Sequence, residues 1–211
     1  MNPEEILRTI SIVSVPLISA ITLHEWAHGW VASLRGDNSA KMLGRLSLNP
    51  IKHIDPVGTI LIPAALMILN AGILFGWAKP VPVNSSALKN PRFDMALVAI
   101  AGPISNIFMA ICWGFAGKYA GNSQFGAWLH QAATTGVVIN VFLAVLNMLP
   151  IPPLDGGRIL SSLLPRRLVY YYDQLEPYGF FILIGLMLLN ILPKLIGPIF
   201  EQIITLINRL L

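Results

Sequence analysis

The stretch Ile10-Ser11-Ile12-Val13-Ser14-Val15-Pro16-Leu17-Ile18-Ser19-Ala20-Ile21-Thr22-Leu23-His24-Glu25-Trp26-Ala27-His28 decides how this chain is to be read. Most of it is apolar, as a helix crossing a bilayer must be, and its end carries two histidines four residues apart. On a helix that spacing puts both on one face, about one turn from each other. The two imidazoles can therefore meet a single Zn²⁺, and the glutamate between them can reach a water at the same place. Because the pattern continues an apolar segment, the chemistry is expected within a membrane. The competing reading is a chance match, with histidines that only satisfy buried polar partners.

Composition supports the membrane setting. The 211 residues are 55% hydrophobic and 11% charged, whereas globular domains carry about 25% charged residues. The mean hydropathy is +0.68, and several segments approach the roughly 20 apolar residues needed to cross a bilayer. The expected fold is an all-α polytopic membrane protein of five to six membrane segments. Residues 1–211 are expected to form a single integral-membrane domain without an appended soluble module. The net charge of +4 is spread among loops, which the positive-inside rule explains better than nucleic-acid binding does. Cys112 is the sole cysteine, so no intrachain disulfide or cysteine-rich metal site can form. It reads as a small buried hydrophobe. The acidic start, Met1-Asn2-Pro3-Glu4-Glu5, does not resemble a signal peptide, so the first segment is expected to be retained.

Along the chain, a long helix is predicted from about Glu4 to Leu34, ended by Gly36-Asp37. A polar stretch from Lys41 to Asp55 follows, and its Lys41, Arg45 and Lys52, with Arg35 before it, mark the cytoplasmic side. Pro56 to Phe75 is a second apolar segment, interrupted by Pro63. Asp94 to Lys118 and Trp128 to Leu149 are further predicted helices. Tyr178 to Leu192 is a last hydrophobic region, and Leu195 to Leu211 reads as a span or an interfacial helix. Tyr170-Tyr171-Tyr172 reads as part of an aromatic belt.

Between them, Trp77-Ala78-Lys79-Pro80-Val81-Pro82-Val83-Asn84 cannot be helical, because prolines alternate with valines. If the basic loops at 35–53, 89–92 and 158–167 share one side, segment 56–88 must begin and end there. A helix going in and about 14 extended residues, reaching some 45 Å, would bring the chain back. On that reading 77–84 is a small extended, re-entrant β element lining a cavity. An ordinary loop on the far side is the other reading.

A catalytic zinc site takes three protein ligands, and the apolar segments offer few candidates beyond His24 and His28. Asp155 is the strongest, since an aspartate near a membrane segment is costly unless paired or metal-bound. By itself it reads first as the N-cap of a helix starting near Gly156, a frequent aspartate role. The paired glycines after it permit a sharp turn. His53 reads as a loop histidine and His130 as interfacial. Asn106 and Asn140 read as interhelical glue.

Taken together, His24–His28, Gly102-Pro103-x-x-Asn106 and Asn147-x-x-Pro-x-Pro-x-x-Asp155-Gly156-Gly157 resemble the site-2 protease family of intramembrane zinc metalloproteases, peptidase family M50. The resemblance spans most of the chain and looks like a minimal member without PDZ or CBS modules. The apolar segment at 56–75 departs from the shortest members. The resemblance implies one Zn²⁺ per chain, held by His24, His28 and Asp155. Glu25 becomes the general base and Asn147 a donor to the oxyanion. It further implies an intramembrane endopeptidase of a prokaryotic cell membrane, with its site nearer the cytoplasm, whose partners are the lipid bilayer and a transmembrane segment of a protein substrate. Two rivals stand beside it. One is a membrane zincin whose third ligand is a glutamate, Glu176 or Glu201. The other is a non-catalytic metal-binding membrane chaperone or transporter, which an intact Glu25 disfavours.

Overall fold

Lipid tails are as apolar as leucine, so a helix bundle in a membrane gains little by hiding large side chains and packs through small ones instead. The computed structural model, in which residues 3–62, 65, 76 and 78–211 are described, follows this rule. Ala20, Ala32, Ala110 and Ala132 are fully buried, while Leu7, Ile10, Ile104 and Phe108 are more than half exposed. Helices α1 (Pro3–Leu34), α2 (Ser39–Met42), α3 (Pro91–Lys118), α4 (Gln124–Asn147), α5 (Asp155–Leu163), α6 (Arg166–Asp173), α7 (Gly179–Leu188) and α8 (Ile191–Leu210) are joined by loops and short turns. Of these, α1, α3, α4 and α8 are long and apolar enough to cross a bilayer.

The end of α1 shows how local sequence sets an element. Gly36 adopts a positive φ of 112°. Its N–H bonds the Ser33 carbonyl and the Asp37 N–H bonds the Ala32 carbonyl, a Schellman ending that satisfies two orphaned carbonyls. Just beyond, Arg35 donates to Asp94 at 2.5 and 2.6 Å. Asp94 is buried in the first turn of α3, so removing Arg35 would leave its carboxylate without its cationic partner. This pair fixes the end of α1 against the start of α3.

Contacts along the bundle set helix direction. Residues 20, 24, 28 and 35 of the α1 side meet residues 106, 102, 98 and 94 of α3 in reverse order, so the two helices are antiparallel. Asn106 meets Asn140, and Gly117 meets Ala133, so α4 is antiparallel to α3 in turn. Val137, Val141, Val145 and Leu149 of the α4 side then form a cluster with Ile196 and Ile207 of α8.

Four expectations are refined or changed. Four described helices are of membrane-spanning length, out of the five to six segments anticipated for the whole chain. Helix α7 has 10 residues, which at 1.5 Å each span about 15 Å, half the hydrocarbon thickness. Most of the apolar segment 56–75 lies outside the described residues; Pro56–Leu61 is a short π-helical stretch capped by Asp55. The β element at 77–84 is the second change. Trp77 lies outside the described residues, and 78–84 form no strand, nor does any other described segment. A strand needs a partner backbone, whereas here the N–H groups of Lys79, Val81 and Asn84 go singly to His53 O, Glu25 Oε2 and Asp37 Oδ2.

The third change is Cys112, which is exposed, on the outer surface of α3. In a membrane helix the lipid-facing side is as apolar as the core, so hydrophobicity does not separate them. The last is the glycine pair after Asp155. Neither glycine has a positive φ. A Cβ on Gly156 would collide with the Met148 and Leu149 carbonyls, and one on Gly157 would lie 2.7 Å from Pro152 N. The glycines permit close backbone approach, not an unusual turn.

Candidate metal centre

Helix α1 brings His24 and His28 to the face that crosses α3, and α5 starts at Asp155 directly opposite. His24 Nε2 and His28 Nε2 are 3.0 Å apart. Asp155 Oδ2 lies 3.2 Å from His24 Nε2, and Oδ1 lies 3.3 Å from His28 Nε2. All three residues are buried, at 9%, 5% and 6% exposure, and their ligand atoms lie within 4.8 Å of one another.

The second ring nitrogens settle what these atoms can do. His28 Nδ1–H donates to the Val98 carbonyl at 2.7 Å, since a carbonyl can only accept. His24 Nδ1–H donates to Asn106 Oδ1 at 2.6 Å. That orientation of Asn106 follows from its Nδ2, which donates to the Ala20 carbonyl and to Asn140 Oδ1. With Nδ1 protonated in both neutral imidazoles, both Nε2 atoms present lone pairs to each other and to a carboxylate. Asp155 Oδ2 is buried without a hydrogen-bond donor. Three electron-rich groups facing one another in a buried space fit a cation, and two nitrogens plus one carboxylate are the donor set of a catalytic zinc site. The Asn106 and Val98 bonds are the outer support that metal-ligating histidines use to fix tautomer and ring direction.

The Asp155 carboxylate faces the imidazoles and caps nothing. Leu154 is the N-cap residue of α5, with no side-chain cap bond. Glu25 is partly buried and its Oε2 accepts the Val81 N–H at 2.7 Å. Asn147, at the end of α4, uses one amide N–H on the Leu143 carbonyl at 2.9 Å. His53 is buried away from this group and donates from Nε2 to the Ser47 carbonyl. His130, Glu176 and Glu201 are exposed and do not join it.

Sequence reasoning missed two participants. Asn106 was expected only to join helices; it does so, and it also orients His24. Gly102 lies under both imidazoles, where a Cβ would be 2.5 Å from His28 Nε2. Its place in the Gly102-Pro103 pair was the available signal.

Residues 114–192 match the model of peptidase family M50. A Bacillus subtilis (strain 168) protein provisionally named zinc metalloprotease YwhC is 43% identical over 178 residues, covering 82% of this chain and 78% of that one. Proteins provisionally named zinc metalloprotease Rip2 are more distant. The one from Mycolicibacterium smegmatis is 27% identical over 89% of this chain and 71% of its own. The one from Mycobacterium tuberculosis (strain H37Rv) is 29% identical over 90% and 70%. No solved structure matches the chain. With a 43% relative aligned over most of both sequences, and a buried His-His-Asp group between apolar helices, the chain belongs to peptidase family M50, the site-2 protease family.

Proposed function

We propose that the chain is an intramembrane zinc endopeptidase that cuts peptide bonds within or near transmembrane segments of other proteins. His24, His28 and Asp155 hold one zinc ion, and residues 1–211 act as a single membrane domain. The observation that carries this reading is the group of three buried ligand residues whose ring nitrogens and carboxylate oxygens converge at 3.0 to 3.3 Å. When bound, zinc supplies Lewis acidity that activates water and polarises the substrate carbonyl. Glu25 takes the proton of the attacking water and returns it to the leaving amine. One of its oxygens is engaged by Val81, which leaves Oε1 for that transfer. Asn147 has a second amide N–H beyond the one bound to Leu143, and that N–H is the donor proposed for the developing oxyanion.

Side preference follows from charge. The metal centre lies near the end of α1, with His28 six residues before Leu34, about 9 Å at 1.5 Å per residue. Of fourteen lysines and arginines, seven fall at positions 35–92 and three at 158–167, all in segments that join the helix ends on this side. The positive-inside rule makes that side cytoplasmic in a prokaryotic cell membrane. The substrate must present an extended carbonyl, because a helix hides its carbonyls in i to i−4 bonds. Segment 78–84 is the wall against which an unwound, extended substrate would lie.

Zinc content and cleavage of a transmembrane reporter in detergent test the assignment. Glu25→Gln is expected to keep near-stoichiometric zinc and lose cleavage, whereas His24→Ala, His28→Ala and Asp155→Ala lose both. Normal zinc and activity in Asp155→Ala would overturn the ligand set. A wild-type protein that binds zinc but never cleaves would favour a chaperone or transporter.

A further inference from the structure

A cavity of about 530 Å³ lies beside the turn that presents Asp155. One wall is Val83, two residues from the Val81 that holds Glu25. The other is Pro152, Pro153 and Gly157, the turn that presents Asp155. Arg92, at the start of α3, and Arg158 and Arg166, from α5 and α6, also line it. None of the three arginines makes an ion pair among the described residues; Arg92 donates to the Leu164 carbonyl. Asp173 and Glu176 share the lining, with Asp173 accepting the Ser161 hydroxyl at 2.8 Å. Arginine is therefore in excess, and it is the side chain best suited to grip carboxylates.

We infer that this cavity is a specificity site for acidic residues on the flank of the substrate's transmembrane segment. The inference rests on the endopeptidase reading and names the substrate class. Arg158 lies about one helical turn from Asp155, about 5 Å along α5, and the far end of α5 lies roughly 12 Å away. At about 3.3 Å per extended residue, the acidic positions fall roughly two to four residues from the cut. Ordinary membrane proteins carry lysine and arginine on their cytoplasmic flank, and a lining with one arginine in excess of its two carboxylates disfavours such a flank. The cavity thus discriminates by rejection as well as by attraction.

The test uses the full chain as Glu25→Gln in neutral detergent, so that binding is read without cleavage. Labelled peptides share one transmembrane segment and differ in a flank of three glutamates, three glutamines or three lysines. The glutamate flank is expected to bind roughly tenfold tighter than the lysine flank, as a few solvent-screened pairs allow. The gap should narrow as salt is raised. Arg158→Glu with Arg166→Glu, checked for zinc content, is expected to reverse the order. Equal affinity for the three peptides would overturn the inference, and no arginine variant is needed to see it. Flank-independent binding together with displacement of peptide by phosphatidylglycerol micelles would assign the cavity to lipid headgroups instead. Glutamate-selective binding with no cleavage of any peptide by the wild type would leave the cavity assignment standing and sink the endopeptidase reading.

Discussion

Gly102→Ala adds one methyl group at the point where α3 crosses under the metal centre. That carbon would lie 2.5 Å from His28 Nε2 and 2.6 Å from both His24 Cε1 and His28 Cε1. Ordinary contact begins at 3.4 Å, so the imidazoles or the helix must withdraw by about 0.9 Å, whereas a metal site tolerates about ±0.2 Å in its ligand distances. Neither ring can retreat freely, because Asn106 holds His24 from behind and the Val98 carbonyl holds His28. Zinc content in purified, detergent-solubilised protein should therefore fall from near one per chain to a small fraction, and reporter cleavage should fall with it. The helix itself should not suffer, since alanine is favoured over glycine in a helix by about 1 kcal/mol. Gly185→Ala in α7 is the control: nothing lies within 4 Å of a Cβ there, so zinc and cleavage should be unchanged. Near-stoichiometric zinc with normal cleavage in Gly102→Ala would refute the argument that backbone proximity at Gly102 shapes the site.

Two further outcomes are expected. Asn106→Ala removes the acceptor of His24 Nδ1–H, so zinc affinity, measured by competition with a chelator, should weaken by about 10- to 100-fold; unchanged affinity would mean that Asn106 only joins helices. Burial pushes the Asp37 carboxyl up, but bonds from Ser39 and Asn84 outweigh it and hold it below its ordinary value. Its stabilisation is then present above the unfolded value of about 3.9 and is lost as pH falls through the lower folded value. The thermal stability gap between wild type and Asp37→Asn should be full at pH 7, start to shrink only near pH 4 and close at the lower pH where the folded carboxyl protonates, and a gap independent of pH would contradict this.

Local signals carried much of this structure. Gly36-Asp37 stops α1 through two bonds within five residues, and the four-residue spacing of His24 and His28 needs only a helix to converge. Asp155 was legible as a candidate because charge is scarce in apolar sequence. The polar network was not legible in detail, because His24, Asn106 and Asn140 come from three helices and their bonds depend on how those helices are rotated. Helix rotation is what an apolar sequence conceals: Ala110 is buried and Cys112 exposed on the same helix, and lipid accepts either.

Segment 78–84 shows the same limit from the other side. Its alternation of proline and valine excludes a helix, and that much held. Alternation alone does not make a strand, because a ladder needs a second backbone to accept each N–H. Here His53, Glu25 and Asp37 take the three N–H groups one at a time, and Pro80 and Pro82 have none to give. Arg45 binds the Lys79 and Pro80 carbonyls from the loop behind. The consequence is mechanical. The segment is tied at both ends and in the middle, and its middle tie is the carboxylate proposed to move the proton. A substrate strand that paired with Val81 through its N–H would have to displace Glu25 from that bond. Binding at this wall and readiness of the base are therefore coupled through one hydrogen bond, a coupling that no pattern of hydrophobicity could have revealed.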